Sequence, residues 1–280
     1  MRPFKTAAVL AVGVVLALGA SACSDASADP SSGSSSPGSS TSAAQLLELV
    51  KPGRLVIGVE GTYPPYTYHD DSGALAGYDI EVAQNIASEL GLEAEFVETK
   101  WDSLIVGLDS QLWDVVINQV AITPEREQKY AFSTPYTYTR VAVITANDNT
   151  SITKLDDLAG QRAAQTVTSN YAKTAETYGA VIVGTDGFNE SIELVRTGRA
   201  DVTLNDEITF ADYLKQHPDA PVKIAATSDS ATSQTGVILA KDKPELKDAI
   251  DLALDDLRSQ GVLTDLSTKY FGKDFSSPLS

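Results

Sequence analysis

The chain has 280 residues, 42% of them hydrophobic and 21% charged, the ordinary composition of a globular protein. With 38 acidic residues against 21 basic ones the formal charge is −17, and no cluster of Lys and Arg interrupts that sign, which excludes nucleic acid and anionic lipid headgroups as docking surfaces. A single cysteine rules out an intrachain disulfide, and the two histidines, His69 and His217, share no metal-ligand spacing with each other or with Cys23.

Residues 1–22 read as an export signal. Arg2 and Lys5 precede an apolar run of 14 residues, AAVLAVGVVLALGA, whose last alanine opens Ala20-Ser21-Ala22. That run is shorter than the roughly 20 residues a membrane-spanning helix needs. Cys23 follows at once and resembles the cysteine of a bacterial lipoprotein site, which becomes the lipidated first residue of the exported chain, although Ala20 stands where leucine is usual. Cleavage at Ala-Ser-Ala, leaving a free thiol, is the alternative. Residues 23–45 are rich in Ser, Gly and Pro, with almost no large apolar side chains to bury, and are expected to form a flexible tether.

From Arg54 onward, short β-rich runs alternate with helical patterns. LVIGVE (55–60) reads as a buried strand. A helix over 79–91 follows, with Ile80, Ala83, Ile86, Ala87 and Leu90 on one face and Gly91 as its stop. EAEFVE (93–98), a helix around SLIVGLDS (103–110) and DVVIN (114–118) complete a β-α-β-α-β series, the pattern of a largely parallel sheet covered by helices. In ITPER the spacing predicts a helix opening at Thr123, with Pro124 at the first helical position and Arg126 directly behind. An arginine fork beside the unpaired N–H groups of a helix start is suited to a carboxylate; a surface ion pair with Glu125 or Glu127 is the alternative.

A second series begins at RVAVITA (140–146). It continues through RAAQT (162–166), a helix from Asn170, AVIVG (180–184), a helix near NESIELVRTG, DVTLN (201–205) and VKIAAT (222–227). GVILA (236–240) and helices over 244–259 and 262–271 remain to return the chain to the first series. The expected fold is α/β and two-lobed, with two doubly wound sheets joined by a two-strand hinge. The first lobe takes residues 46–139, the second 140–233, and 234–280 return to the first. Ligands favour the cleft such lobes leave.

Several ordered motifs then carry a resemblance: GTYPPY, GYDIEVAQNIA, TKWDSLI, DVVIN, ITPERE, YAFSTPY, LAGQR and GRADVTLND. In that order, from about Arg54 to Phe275, the chain resembles the family 3 solute-binding proteins. These are extracytoplasmic receptors that deliver polar amino acids to ABC importers, on a periplasmic-binding-protein-like (type II) fold. The resemblance implies that Arg126 pairs with the ligand α-carboxylate and Asp206 receives the α-ammonium. It places Asn118, Gln119 and Ala121 at first-lobe contacts to the ligand head, Tyr63 and Trp101 around its side chain, and Ser169 and Asn170 as second-lobe donors that close on the carboxylate. Ala121 stands where relatives often have Ser or Thr, and Thr168 where they usually have Gly. Bland roles remain for several of these. Asp206 could simply cap the helix that starts EITFADYL, and Tyr66, unlike Tyr63, is expected to face the core.

EGTYPPY, TKWD, VINQV and TSNY look most like the cystine-binding subgroup, so the expected ligand is L-cystine, with Glu60 meeting its distal ammonium. Glutamine, histidine or arginine are the alternatives. The implied partners are ABC permease subunits, with a membrane anchor through the lipid on Cys23, and no cofactor or metal is expected. A small dehydratase on the same scaffold, using Glu60 and Asp206 as acid and base, is the competing class. A zwitterion clamp of Arg126 and Asp206 flanked by aromatics describes binding more simply, and no catalytic residue is assigned.

Overall fold

A computed structural model describes residues 47–278, with residues 229–232 as backbone only. The export signal, Cys23 and the tether lie outside the described residues.

The chain begins its first sheet with β1 (Arg54–Val59) and then forms a small three-stranded sheet from β2 (Thr62–Tyr63), β3 (Thr67–His69) and β4 (Leu75–Ala76). Helix α1 (Tyr78–Glu89), β5 (Glu93–Glu98), α2 (Trp101–Asp109), β6 (Val115–Val116), α3 (Pro124–Lys129) and β7 (Tyr130–Phe132) follow. The first sheet runs β5-β1-β6, all parallel, and is completed on the other side by β13 (Ile238–Ala240), antiparallel to both β6 and β7. Leu55, Ile57 and Val59 point into one apolar core and Val56 into another on the opposite face. Burial on both faces is why this strand reads as an unbroken apolar run rather than an alternation.

The second sheet contains β8 (Thr137–Ala146), β9 (Arg162–Gln165), β10 (Val181–Gly184), β11 (Val202–Asp206) and β12 (Val222–Thr235), in the order β10-β9-β11-β8-β12. Helices α4 (Asn170–Thr177), α5 (Phe188–Arg196) and α6 (Glu207–Gln216) cover it. Its strands also feed two cores, with Val141, Val143, Val202 and Leu204 on one face and Ala142 and Ile144 on the other. After β13 the chain closes with α7 (Pro244–Ser259) and α8 (Val262–Phe271), whose Ile250, Leu254, Leu257 and Leu263 pack into the same core as Leu55 and Ile57. These two helices match the sequence expectation end for end, because Pro244 opens one and left-handed Gly261 and Gly272 bound the other.

Two expectations needed adjustment. The expected strands 140–146 and 222–227 are each longer, and Thr137–Thr139 pairs with Ser233–Thr235 antiparallel. These polar ends carry the two chain crossings between the lobes, and Ala121 bridges to Thr235 at the same place. The expected strand 114–118 shrinks to Val115–Val116. Asp114 instead accepts the backbone N–H groups of Val50 (2.7 Å) and Val56 (2.8 Å), and Asn118 turns its side chain toward Glu60. Trp113 holds this strand in place. Its indole donates to Leu104 O at 3.0 Å, and its ring lies so close to helix α2 that a Cβ on Gly107 would fall 1.9 Å from it.

Candidate functional site

The carboxyl ends of β1 and β6 meet at one edge of the first sheet, where open α/β sheets place their ligands. Glu60 follows β1. Its N–H donates to Asn118 Oδ1 at 2.9 Å, and its Oε2 accepts from Asn118 Nδ2 at 2.9 Å. The Thr67 hydroxyl donates to the same Asn118 Oδ1 at 2.9 Å, so the fully buried Asn118 fixes Glu60 against the small sheet. Burial raises the Glu60 carboxyl from an ordinary 4.5 to about 7; the Asn118 bond opposes the rise and the charge of Asp102 adds to it.

Gln119 is a non-glycine residue in the left-handed region, with φ of 51°. Its backbone N–H and its Nε2 both donate to Asp79 at 2.7 Å, while its Oε1 accepts the Thr235 hydroxyl at 3.1 Å. The side chain therefore ties the floor of the cleft to a crossing strand. Asp79 is buried and its carboxyl is pushed from 3.8 up to about 7, with burial the dominant cause and the Gln119 bonds opposing it.

At the next turn Thr123 caps α3, its hydroxyl accepting Arg126 N–H at 3.3 Å, as the sequence predicted. The Arg126 guanidinium donates through Nη1 to Ala121 O at 2.9 Å and lies 5.5 Å from the centroid of the Trp101 ring, a cation–π distance. Among the described residues it has no ion-pair partner. Glu125 reaches Lys173 instead. Burial lowers the Arg126 pKa from its ordinary value to about 10, and the Tyr171 hydroxyl and the Glu125 charge only partly oppose the fall.

The second lobe supplies the opposite wall. Ser169 caps α4, its hydroxyl accepting Ala172 N–H at 3.0 Å, and Asn170 opens that helix. Asp206 ends β11 and caps α6, accepting Thr209 N–H at 2.7 Å. It is also 1% exposed and faces two first-lobe tyrosines. Its Oδ1 accepts the Tyr66 hydroxyl at 2.8 Å, and its Oδ2 accepts the Thr209 hydroxyl at 2.9 Å and lies 3.1 Å from the Tyr63 hydroxyl oxygen. Tyr63 has one hydroxyl proton, and Asn205 Oδ1 at 2.6 Å is the nearer acceptor. With that proton engaged, Oδ2 keeps one lone-pair direction unfilled next to Tyr63 and Asn205. Burial raises the Asp206 carboxyl, and the donors from Thr209 and Tyr66 hold the rise down.

A small cavity lies between the lobes. Glu60, Tyr63, Trp101, Gln119, Ser169 and Asn170 line it; Ala121 and Arg126 line an adjoining hollow that shares Ser169 and Asn170. Asn118 and Asp206 stand behind these walls, with Asn205 in front of Asp206. The expected residues are thus gathered at one cleft, but not as two charges facing each other across an open gap. Tyr171, on the cavity wall, connects them electrostatically: burial raises its hydroxyl pKa well above the ordinary value, the Asp206 charge adds to this and the Arg126 charge opposes it. Sequence reasoning passed over Tyr171, Asn205, Gln165 and Phe188. The signals were faint, since each stands at or beside an element end already singled out for a neighbour. Neither histidine enters the site. His69 and His217 line an outer groove, and His69 Nε2 lies 3.4 Å from Glu98.

The lobes are drawn together. Lys100 pairs with Asp186 at 2.6 Å, the Thr168 hydroxyl donates to Asp102, and Asn189 Nδ2 donates to Thr62 O at 3.3 Å, all across the cleft.

Comparison with known proteins agrees with this geometry. Residues 55–273 match the bacterial extracellular solute-binding proteins, family 3. The L-cystine-binding protein TcyA of Bacillus subtilis is 42% identical over 229 residues, covering 81% of this chain and 85% of that protein. Among solved structures, the L-cystine solute receptor of Neisseria gonorrhoeae in its unliganded open conformation is 40% identical, covers 80% of this chain and 95% of its own, and gives a TM-score of 0.57. An ancestral arginine-binding protein bound to arginine is only 33% identical, covering 79% of this chain and 99% of its own, yet superposes better, with a TM-score of 0.74. The better superposition is thus with a structure that holds a ligand, and the poorer one with an unliganded open structure. On the family match and these likenesses, the chain belongs to the family 3 bacterial extracellular solute-binding proteins.

Proposed function

We propose that the chain captures a polar amino acid, L-cystine foremost, between its two lobes and hands it to the membrane subunits of an ABC importer. The observation that carries this reading is Arg126, a largely buried guanidinium without an ion-pair partner among the described residues, stacked on Trp101 beside the interlobe cavity. A ligand carboxylate supplies the missing charge in a bidentate geometry, and the helix start at Ser169 and Asn170 adds donors from the other lobe. The unfilled direction on Asp206 Oδ2 receives the α-ammonium. Trp101 and Tyr63 flank the side chain.

L-cystine is favoured because it carries a second ammonium, and Glu60 offers a second acid on the same cavity, with its Oε2 on Asn118 and no donor on Oε1 among the described residues. The similarity to a cystine-binding protein and a cystine receptor supports the same choice. A thermal-shift panel on protein refolded to strip any copurified amino acid tests it. L-cystine at about a thousand times its dissociation constant adds roughly 4 kcal/mol to stability. A shift with L-glutamine, L-arginine or L-histidine and none with L-cystine would reassign the ligand, and no shift with any of them would reject the reading.

The chain acts outside the cytoplasm, held at the outer face of the membrane by a lipid on Cys23 and reaching its permease through the Ser/Gly/Pro-rich tether. Cys23→Ala is expected to release the protein into the soluble extracellular fraction. An unchanged membrane-bound fraction would rule out the lipid.

A further inference from the structure

The structure assigns Tyr66 a role beyond its place in the core: its hydroxyl latches the two lobes in the closed form and positions the carboxylate of Asp206 for the ligand. This rests on the reading of Asp206 as the ammonium acceptor.

Tyr66 is fully buried, and its ring packs against Tyr63 (5.2 Å between centroids) and Phe271 (5.6 Å), both in the first lobe. Its backbone is equally fixed. Asp79 N–H donates to Tyr66 O at 3.0 Å, and the chain passes so close at left-handed Gly77 that a Cβ there would fall 2.1 Å from that oxygen. A side chain held this firmly by one lobe nevertheless places its hydroxyl 2.8 Å from Asp206 Oδ1, at the end of a strand of the other. The bond exists only while the lobes are together, so it favours closure, and with the carboxylate form of Asp206 as acceptor it is one of the stronger kinds of hydrogen bond. It differs from the ion pairs at the rim, whose exposed partners contribute little. With Thr209 N–H on the same oxygen, it leaves Oδ1 filled and sets Oδ2 as the atom open to the ligand.

The titratable groups around Asp206 are Tyr63 and Tyr66 from the first lobe and Tyr171 from α4, with Asp79 of α1 within electrostatic range. The Tyr66 bond stabilises the ionised carboxylate, so its removal raises the pH at which Asp206 takes a proton and stops attracting an ammonium.

The test compares Tyr66→Phe with Tyr78→Phe. Tyr78 is an equally buried tyrosine packed on the same Phe271, but its hydroxyl donates to Tyr136 O at 3.0 Å and not to Asp206. Affinity is measured by calorimetry between pH 5 and 8, with whichever of L-cystine, L-arginine, L-glutamine and L-histidine binds the parent. Tyr66→Phe is expected to lose about tenfold or more in affinity and to move the acid limb of the profile upward. Tyr78→Phe keeps the parental limb. Small-angle scattering on the ligand-free proteins is expected to give a larger radius for Tyr66→Phe than for the parent. Parental affinity and acid limb in Tyr66→Phe, equal limb shifts in both variants, or equal ligand-free radii would overturn the assignment. Should no amino acid of the panel bind the parent, the proposed function fails, and the radius comparison still decides the latch.

Discussion

Arg126→Ala is expected to weaken amino-acid binding by two to three orders of magnitude, about 3–4 kcal/mol, because truncating one member of a buried charge pair leaves the ligand carboxylate desolvated and unpaired. Arg126→Lys recovers only part of this, since an ammonium cannot reproduce the fork that a carboxylate meets with two parallel bonds. The ligand-free protein moves the other way. Burial has already lowered the Arg126 pKa to about 10, so the folded chain bears a cost for keeping that cation where it is. Arg126→Met, which retains the packing on Trp101 without the charge, should melt no lower than the parent and somewhat higher if the cost is large. Opposite signs on affinity and on ligand-free stability distinguish a binding arginine from a structural one. Calorimetry and thermal melts on the same three variants measure both, and an affinity within threefold of the parent in Arg126→Ala would exclude Arg126 from the site.

The second large effect is a pH dependence centred on Glu60. Its carboxyl titrates near 7 when folded and near 4.5 when not. Between those values the folded chain binds more protons than the unfolded one, so stability falls as pH rises through the window, and the fall is complete above 7. The shift corresponds to at most about 3 kcal/mol. Glu60→Gln should therefore stabilise the ligand-free protein at pH 8 by up to that amount and have no effect at pH 4.5. Asp79, raised from 3.8 to about 7, adds a dependence of the same sign in both proteins, which the comparison cancels. A ligand ammonium placed beside Glu60 favours its charged form and draws its pKa down again. Binding of L-cystine at pH 7 then releases a proton, visible as a heat that changes with the ionisation enthalpy of the buffer. Glu60→Gln abolishes that release. The same proton release in both proteins would mean that the ligand never approaches Glu60.

Much of the fold could be read from the chain because local signals and burial agree. The apolar run Leu55–Val59 is buried on both faces, the helix starts at Thr123 and Ser169 carry their own caps, and Pro244 takes the first position of its helix. The polar end of β12 was not legible. SDSATSQT has no apolar alternation, and its last residues are held as strand by pairing with Thr137–Thr139, roughly a hundred positions away. The site divides in the same way. Arg126 stood out because its helix start is local, and Glu60 because it ends a strong strand. The partners of Asp206 did not, since Tyr63 and Tyr66 lie about 140 residues from it in sequence and meet it only when the lobes close. The side chains of Asn118 and Gln119, expected among the ligand contacts, are also engaged by Glu60, Thr67, Asp79 and Thr235, bonds between residues far apart in sequence that no local pattern announces.

The two lobe crossings are not independent linkers. Thr137–Thr139 and Ser233–Thr235 are paired to each other in register, and Ile122 N–H donates to Gln234 O at the base of the cleft. A paired ribbon bends across its width far more easily than it slides along its length, because sliding breaks its ladder. The lobes are thereby left one soft coordinate, the angle between them. Discrimination among amino acids can then act through the thickness of what lies between Glu60 and the α4 helix start. A molecule too bulky holds the angle open and keeps Tyr66 from Asp206, while one too slight allows the angle to close without reaching both walls.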